Sequence, residues 1–278
     1  LQGEDKRDFL QGLVSNDVRN VAPDRAIYSA FLTPQGKYLF DFFMCEWNEA
    51  IALDCEAARR ADLIAKLRMY KLRSKVDLTD GTGDLAVFTV FGNKAAEALG
   101  LAAKTGAART FAGGVVFIDP RLSDVGLRAI LPKDGAEKAL QAAGVRKGPV
   151  REYERLRIGL GLADGSRDMT VEKALLLENG FDKLNGVDWE KGCYMGQELT
   201  ARTKYRGLVK KRLTPVEITG PMPAPGSPVM VGTREAGEMK SAVEGLGLAL
   251  LRLEHLEAGE PLTCGDATLK PLKPGWAA

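Results

Sequence analysis

The pattern that most restricts the fold of this chain is an alternation of short strand and helix segments between about residues 85 and 145. Three apolar stretches, "LAVFTVFG", "GGVVFIDP" and "GLRAILP", are typical of strands. Two alanine-rich stretches, "NKAAEALG" and "GAEKALQAAG", are typical of helices. The resulting order, β-α-β-β-α in a unit of this size, predicts a ferredoxin-like split βαβ arrangement.

The composition changes after Lys211. The stretch "TPVEITGPMPAPGSPVMVG" is rich in proline and glycine, which mark turns, and short strand patterns follow it. Such a succession predicts a small β-barrel over residues 212–278. The chain would then consist of a region at 1–211, with a middle subdomain at about 84–147, and this C-terminal barrel.

The first part of the chain mixes helices and strands. The turn "TPQG" at 33–36 separates two apolar, aromatic-rich stretches, which predicts a hairpin. Residues 56–71 repeat apolar positions at helical spacing, and residues 150–160 form a second amphipathic pattern. The fold class expected from the whole chain is therefore α+β.

Charge and residue usage exclude several kinds of function. The formal net charge is +2, which argues against binding nucleic acid over a large surface. The single histidine, His255, leaves almost nothing for a histidine base or a histidine-rich metal site. No apolar run approaches the roughly 18 residues that cross a bilayer, so no membrane association is expected. The first residues show no signal-peptide pattern.

The four cysteines lie far apart in the sequence, with no C-x-x-C pair; they are Cys45, Cys55, Cys193 and Cys264. This spacing argues against a zinc site or a disulfide scaffold and for a reducing compartment. We therefore expect no metal ligand set and no stable four-ligand cluster held by this chain alone.

Cys193 stands in the most unusual stretch of the sequence, "DWEKGCYMGQELTARTKYRG" at 188–207. It comes shortly before a helix-forming segment, and a helix start together with Lys191 would favour an anion there. Glycines on both sides let the backbone approach a ligand or a neighbouring segment. A small buried thiol beside a turn explains the same spacing, and the local sequence leaves both interpretations open.

A basic cluster follows, with six cations in eleven residues: Arg202, Lys204, Arg206, Lys210, Lys211 and Arg212. A solvated helix face and strand edge is the simpler explanation. The alternative is an anion site for a polyglutamate tail, a phosphate or an acidic protein. Tyr205 is the one aromatic residue among these cations, so the case for nucleic acid is weak.

Several segments together resemble the YgfZ family. "KGCYMGQE" (191–198) resembles its K-G-C-Y-x-G-Q-E signature, and "FLQGLVSNDV" (9–18) is similar to its opening motif. "LTPQGKYLFD" (32–41) is similar to its hairpin, and "RIGLGLADGSRDM" (157–169) and "ELTARTKYRGLVKKRL" (198–213) resemble the stretches around the cysteine. The resemblance covers the chain from its first residue to about residue 250.

This resemblance implies a function in the maintenance of iron–sulfur enzymes. YgfZ-type proteins bind folate and support assembly or repair of such enzymes, and mitochondrial relatives act late in [4Fe–4S] cluster assembly. The implied partners are folate, iron–sulfur assembly proteins and client [4Fe–4S] enzymes, with Cys193 as the essential thiol. The implied location is the cytoplasm in bacteria, or the mitochondrial matrix in a eukaryote.

The parent superfamily contains the glycine-cleavage T-protein, a tetrahydrofolate-dependent aminomethyltransferase. Its fold is a ring of three subdomains around a folate pocket, ending in a β-barrel, and the resemblance implies the same ring here. The T-protein hairpin carries an Asp-Asp pair, whereas the matching pair here is Phe40-Asp41. This loss and the K-G-C-Y signature argue against aminomethyl transfer, which remains the alternative function together with demethylation.

The resemblance also implies a tetrahydrofolate pocket. Tyr153 would stack on the flat pterin, and Glu178 would accept its N–H groups, although Tyr153 as a core residue explains its position equally well. The full set of predicted folate contacts is Asn16, Asp41, Tyr153, Glu178, Lys191, Tyr194, Gln197, Glu198 and Arg206. Taken one at a time, Asn16, Asp41 and Glu178 also suit turns and caps.

Overall fold

The computed structural model describes residues 1–277 and divides into two compact units. Unit 1 consists of Leu1–Pro34, Leu39–Lys147 and Leu184–Gln197. Unit 2 consists of Gln35–Tyr38, Gly148–Lys183 and the chain from Glu198 onward. Within the described residues, no helix combines the length and apolar character needed to cross a membrane.

Unit 1 begins with a helix and a three-stranded sheet. Its elements are α1 (Lys6–Gln11), β1 (Ile27–Leu32), β2 (Tyr38–Trp47, whose first residue belongs to unit 2), β3 (Ala50–Cys55) and α2 (Arg60–Lys71). The strand order β1-β2-β3 makes β1 and β2 neighbours, which confirms the hairpin predicted around residues 33–36. Asn48 and Glu49 join β2 to β3 with positive φ at both positions, as a type I′ hairpin turn requires.

The middle subdomain is a four-stranded antiparallel sheet with two helices. Its elements are β4 (Leu85–Val90), α3 (Ala95–Ala98), β5 (Ala108–Phe111), β6 (Gly114–Ile118), β7 (Leu127–Pro132) and α4 (Ala136–Ala142). The sheet order is β4-β7-β6-β5, and every neighbouring pair is antiparallel. The three predicted strands stand in the order β4-β7-β6, with β7 inserted between β4 and β6, which is the predicted split βαβ arrangement, and β5 is an additional strand at the sheet edge.

Unit 2 joins three helices to a closed barrel. The helices are α5 (Val150–Gly159), α6 (Gly165–Asp168) and α7 (Gln197–Tyr205, whose first residue belongs to unit 1). The barrel elements are β8 (Lys211–Thr219), β9 (Pro228–Val231), β10 (Arg234–Val243), β11 (Leu246–Arg252), α8 (Leu253–Ala258), β12 (Leu262–Cys264) and β13 (Ala267–Pro271). The strands close in the order β10-β11-β8-β13-β12-β9, so the predicted α+β class and C-terminal barrel are confirmed.

A buried arginine connects the helices of unit 2 to the barrel. Arg157 on α5 is 1% exposed and uses all five of its N–H donors. It contacts Asp168 at 2.9 Å, both carboxylate oxygens of Glu154, the Leu162 carbonyl and the Ser241 hydroxyl on β10. Asp168 in turn accepts from the backbone N–H and the hydroxyl of Ser241. The guanidinium therefore fixes α5 and α6 against one barrel strand.

We expect Arg157→Met to lower the free energy of unfolding by about 3–5 kcal/mol, because Asp168 would stay buried without its cation. Arg157→Lys should restore little of this loss, since one ammonium cannot replace a fork of five donors. Denaturant unfolding measures both effects. Arg155→Met, an exposed arginine on the same helix, is the matched control, and an equal loss in that control would contradict the expectation.

Candidate functional site

In unit 1, the segment that carries Cys193 is fixed against the chain that follows α1. We call residues 186–196 the cysteine loop. The Asp188 N–H donates to the Ser15 carbonyl at 3.0 Å, and the Met195 N–H donates to the Gly12 carbonyl at 3.1 Å. The Ser15 hydroxyl donates to the Gly186 carbonyl at 2.6 Å. The loop is thus held along its length, before and after the cysteine.

Lys191 forms the centre of this attachment. Its side chain is buried, and its ammonium donates to the carbonyls of Gln11 (2.8 Å), Val14 and Asn16 (3.0 Å). These three acceptors use all the donors of an ammonium. Burial lowers the pKa of Lys191 to about 8. The expected support of an anion at Cys193 is corrected here, because these N–H groups bind the backbone at the end of α1 and just after it.

Asn16 connects the loop to the first sheet. Its side-chain N–H groups donate to the carbonyls of Tyr28 on β1 and Asn185, both at 2.7 Å. Its side-chain oxygen accepts from the Asp17 N–H at 2.8 Å. The Tyr28 hydroxyl then donates to Asp41 on β2 at 2.7 Å. Two predicted site residues, Asn16 and Asp41, are therefore linked through Tyr28.

The loop presents Cys193 to solvent between two buried neighbours. Lys191 and Tyr194 are buried, whereas the Cys193 side chain is exposed. Gly192 has φ +92°, a conformation that favours glycine, and the side chain of Gln197 closes the turn by donating to the Gly192 carbonyl at 3.0 Å. This geometry gives the thiol a fixed position that a partner can reach.

The expected position of the thiol at a helix start is corrected by the structure. Helix α7 begins at Gln197, four residues after Cys193. The field of a helix terminus acts mainly within its own first turn. Cys193 precedes that turn, so the helix start cannot be the feature that distinguishes this thiol. Its exposure is.

The other three cysteines are shielded. Cys45 and Cys264 are buried and Cys55 is half-buried. Burial raises the pKa of all three thiols, that of Cys55 to about 11. Among residues 1–277, no group of three or more histidine, cysteine, aspartate or glutamate side chains could hold a metal ion. Cys193 is therefore the one cysteine suited to meet a partner.

The remaining predicted site residues belong to unit 2. Glu178 lies in the short turn Leu177–Asn179, where burial raises the pKa of its carboxyl and Lys211 and Lys37 oppose that shift. Tyr153 is half-buried on α5. Glu198 on α7 and Arg206 just after it are exposed. Within unit 2 these four residues stand on three separate segments.

Sequence reasoning missed the residues that hold the cysteine loop. Ser15 and Gln11 belong to the stretch "FLQGLVSNDV". Gln11 donates weakly to the Lys191 carbonyl at 3.4 Å, and its side-chain oxygen accepts from the Val18 N–H at 2.8 Å. The available signal was the set of polar residues within that otherwise apolar stretch.

Two families of domains and several proteins are similar to this chain. Residues 1–112 match the family described as the GCVT N-terminal domain, and residues 210–278 match the CAF17 C-terminal beta-barrel domain. The chain is 33% identical to the mitochondrial iron-sulfur cluster assembly factor IBA57 of Mus musculus, over 92% of this chain and 75% of that protein. The Homo sapiens protein is 32% identical with the same coverage.

A solved structure shows the same fold. The crystal structure of glycine cleavage system aminomethyltransferase T from Bartonella henselae aligns with a TM-score of 0.77, over 100% of this chain and 82% of that one. The sequence identity is 15%, so the likeness concerns the fold alone. It confirms the aminomethyltransferase type of fold expected from the sequence.

We expect Lys191→Met to lower the free energy of unfolding at neutral pH by about 2 kcal/mol or more, because three carbonyls lose their donor. The loss should grow between pH 8 and 10.5. In that interval the unfolded lysine, with its ordinary pKa of 10.5, binds more protons than the folded one, so raising the pH stabilises the wild type.

Denaturant unfolding at several pH values measures this difference. Lys138→Met, an exposed lysine on α4, is the matched control and should change stability little at any pH. A loss for Lys191→Met that shrinks as the pH rises would contradict the assignment.

Proposed function

Because the chain belongs to the IBA57 family of iron–sulfur cluster assembly factors, we propose that it supports the assembly or repair of iron–sulfur enzymes, as a YgfZ-type protein with Cys193 as its essential thiol. One observation supports the role of this residue above the others. Cys193 is the exposed cysteine of the chain, and its loop is fixed by a buried lysine.

The chemistry of a thiol fits this function in two ways. A thiolate is the form that ligates iron in iron–sulfur clusters, and it is also the form that attacks a disulfide or another electrophile. A cluster normally takes four protein ligands, and this chain offers one accessible thiol. If Cys193 ligates a cluster as cargo, a partner protein or a small thiol must complete the set.

The fixed cysteine loop favours a role in which Cys193 engages a partner protein. An exposed side chain on a mobile loop loses conformational freedom when it engages a partner, and that loss weakens binding. Here the backbone around Cys193 is held by hydrogen bonds from Asp188 and Met195 before any partner arrives. The partners proposed on this basis are iron–sulfur assembly proteins and client [4Fe–4S] enzymes. The relatives are mitochondrial by name, which supports the matrix as the location in a eukaryote.

Folate remains part of the proposal, with a smaller set of direct contacts. Glu178 fits a pterin edge because it is half-buried and can accept N–H groups, and Tyr153 offers a half-buried ring. The N–H donors of Asn16 and Lys191 already bind the backbone, so we assign those two residues to holding the cysteine loop. Aminomethyl transfer has only the fold in its favour.

We expect Cys193→Ala to fail to restore [4Fe–4S] enzyme activity in cells that lack this protein, because the accessible thiol is gone. The measurement is the activity of a [4Fe–4S] enzyme in a deletion strain that expresses each variant at equal level. Cys55→Ala removes a shielded thiol and should restore activity fully. Full restoration by Cys193→Ala would end the proposed role of this residue.

For folate, we expect tetrahydrofolate to bind the wild-type protein and Glu178→Gln to weaken binding by about tenfold, as the loss of a hydrogen bond to a charged group predicts. Isothermal titration calorimetry gives both affinities. Glu172→Gln, an exposed glutamate nearby in the sequence, should leave the affinity unchanged. Absence of binding heat with an intact fold would show that the chain kept the fold and lost the ligand.

A further inference from the structure

The end of α7 forms an exposed surface that combines cations with apolar side chains. We call it the α7 cap, and its members are Arg202, Lys204, Tyr205, Arg206, Leu208 and Lys210. Tyr205 is 72% exposed and Leu208 is 44% exposed. The sequence contains no acidic residue between Glu198 and Glu217. In a chain whose net charge is only +2, this is a strong local concentration of positive charge.

The backbone of the α7 cap is firmly held. The Gly207 N–H donates to the Lys204 carbonyl at 3.1 Å, and the Leu208 N–H donates to the Thr203 carbonyl at 3.0 Å. With Gly207 at φ +60°, these two bonds form a Schellman motif, which ends a helix with a defined turn. The Thr203 hydroxyl also donates to the Leu199 carbonyl at 2.7 Å. The exposed side chains therefore project from a fixed backbone.

The fold accounts for only some of the cations and apolar side chains in this region. The neighbouring Arg212 is half-buried and bonds to Asp182 and to the Leu177 carbonyl, so that cation has a structural task. Cations near a helix C-terminus stabilise the helix, which would explain Arg202 and Lys204. The Lys204 ammonium also lies 5.6 Å from the centre of the Tyr205 ring. Neither contribution explains Lys210, beyond the helix, or the exposure of Leu208.

We propose that the α7 cap is the docking surface for an acidic protein. Carboxylates of the partner would meet Arg202, Arg206 and Lys210, and an apolar recess would take Tyr205 and Leu208. Tyrosine and arginine are among the residues that most often dominate binding energy at protein interfaces. Opposite charges steer association and exclude wrong partners. The identity of the partner as an iron–sulfur protein rests on the proposed function.

A single-stranded nucleic acid is the competing occupant. Such ligands are bound by several aromatic side chains that stack on successive bases along a basic groove. The α7 cap offers Tyr205 as its aromatic residue, next to an aliphatic Leu208 that suits a protein recess. The surface therefore favours an acidic protein.

The first test uses a short fluorescein-labelled peptide of alternating glutamate and leucine, with binding followed by fluorescence anisotropy. The peptide should bind the wild type, and Arg202→Glu/Lys210→Glu should weaken binding by about tenfold or more. Tyr205→Ala should weaken it severalfold without changing the charge. Arg206 is left intact because it is also a predicted folate contact.

The matched control is Lys104→Glu/Lys138→Glu, which makes the same change of charge at two exposed lysines of unit 1 and should leave binding unchanged. Circular dichroism and the thermal midpoint show whether each variant is folded. The proposal is overturned if the peptide fails to bind, if the control weakens binding equally, or if an RNA of the same charge binds more tightly.

The second test separates this proposal from the proposed function. In the deletion strain, Arg202→Glu/Lys210→Glu should restore less [4Fe–4S] enzyme activity than the lysine control does. If Cys193→Ala restores full activity, the proposed function fails. If Cys193→Ala fails to restore it while the α7 cap variant performs as well as the wild type, the docking proposal alone fails.

Discussion

The cysteine loop depends on a cation that has been removed from water. Transferring an ammonium into the protein interior is costly unless its donors are satisfied, and Lys191 satisfies them with three backbone carbonyls from residues 11–16. The first of those carbonyls ends the short helix α1, the other two follow it, and all three need donors. Each segment thus completes the hydrogen bonds of the other, and the exposed position of Cys193 follows from a charge buried two residues before it.

Unit 2 uses the same principle with a different cation. Arg157 is satisfied by two carboxylates, one carbonyl and one hydroxyl, which come from α5, the following turn, α6 and strand β10. A guanidinium has a rigid fork of donors, so it fixes directions as well as distances. In both units, one buried cation joins segments that are distant in sequence, and in unit 1 a segment joined in this way carries the exposed Cys193.

The sequence predicted those features that repeat locally. The barrel follows from proline, glycine and short strand patterns, and the hairpin before β2 follows from "TPQG" between apolar stretches. Strand β5 was missed because it has four residues, two of them exposed, and therefore shows little periodicity. The partners of Lys191 were out of reach for the same reason: carbonyls at 11–16 carry no side-chain signature, and they lie about 180 residues away in the sequence. The family resemblance identified Cys193, whereas only the structure shows that hydrogen bonds of Lys191 hold its loop.

The unequal exposure of the cysteines also determines how this protein meets oxidants. Oxidation to sulfenic acid, or capping by glutathione, proceeds fastest at an accessible thiol with thiolate character. Burial raises the pKa of Cys45, Cys55 and Cys264 and keeps those sulfurs protonated. The redox balance of the surroundings therefore acts on this protein chiefly through one sulfur, the same one proposed to serve its function, so oxidative damage and loss of function would coincide.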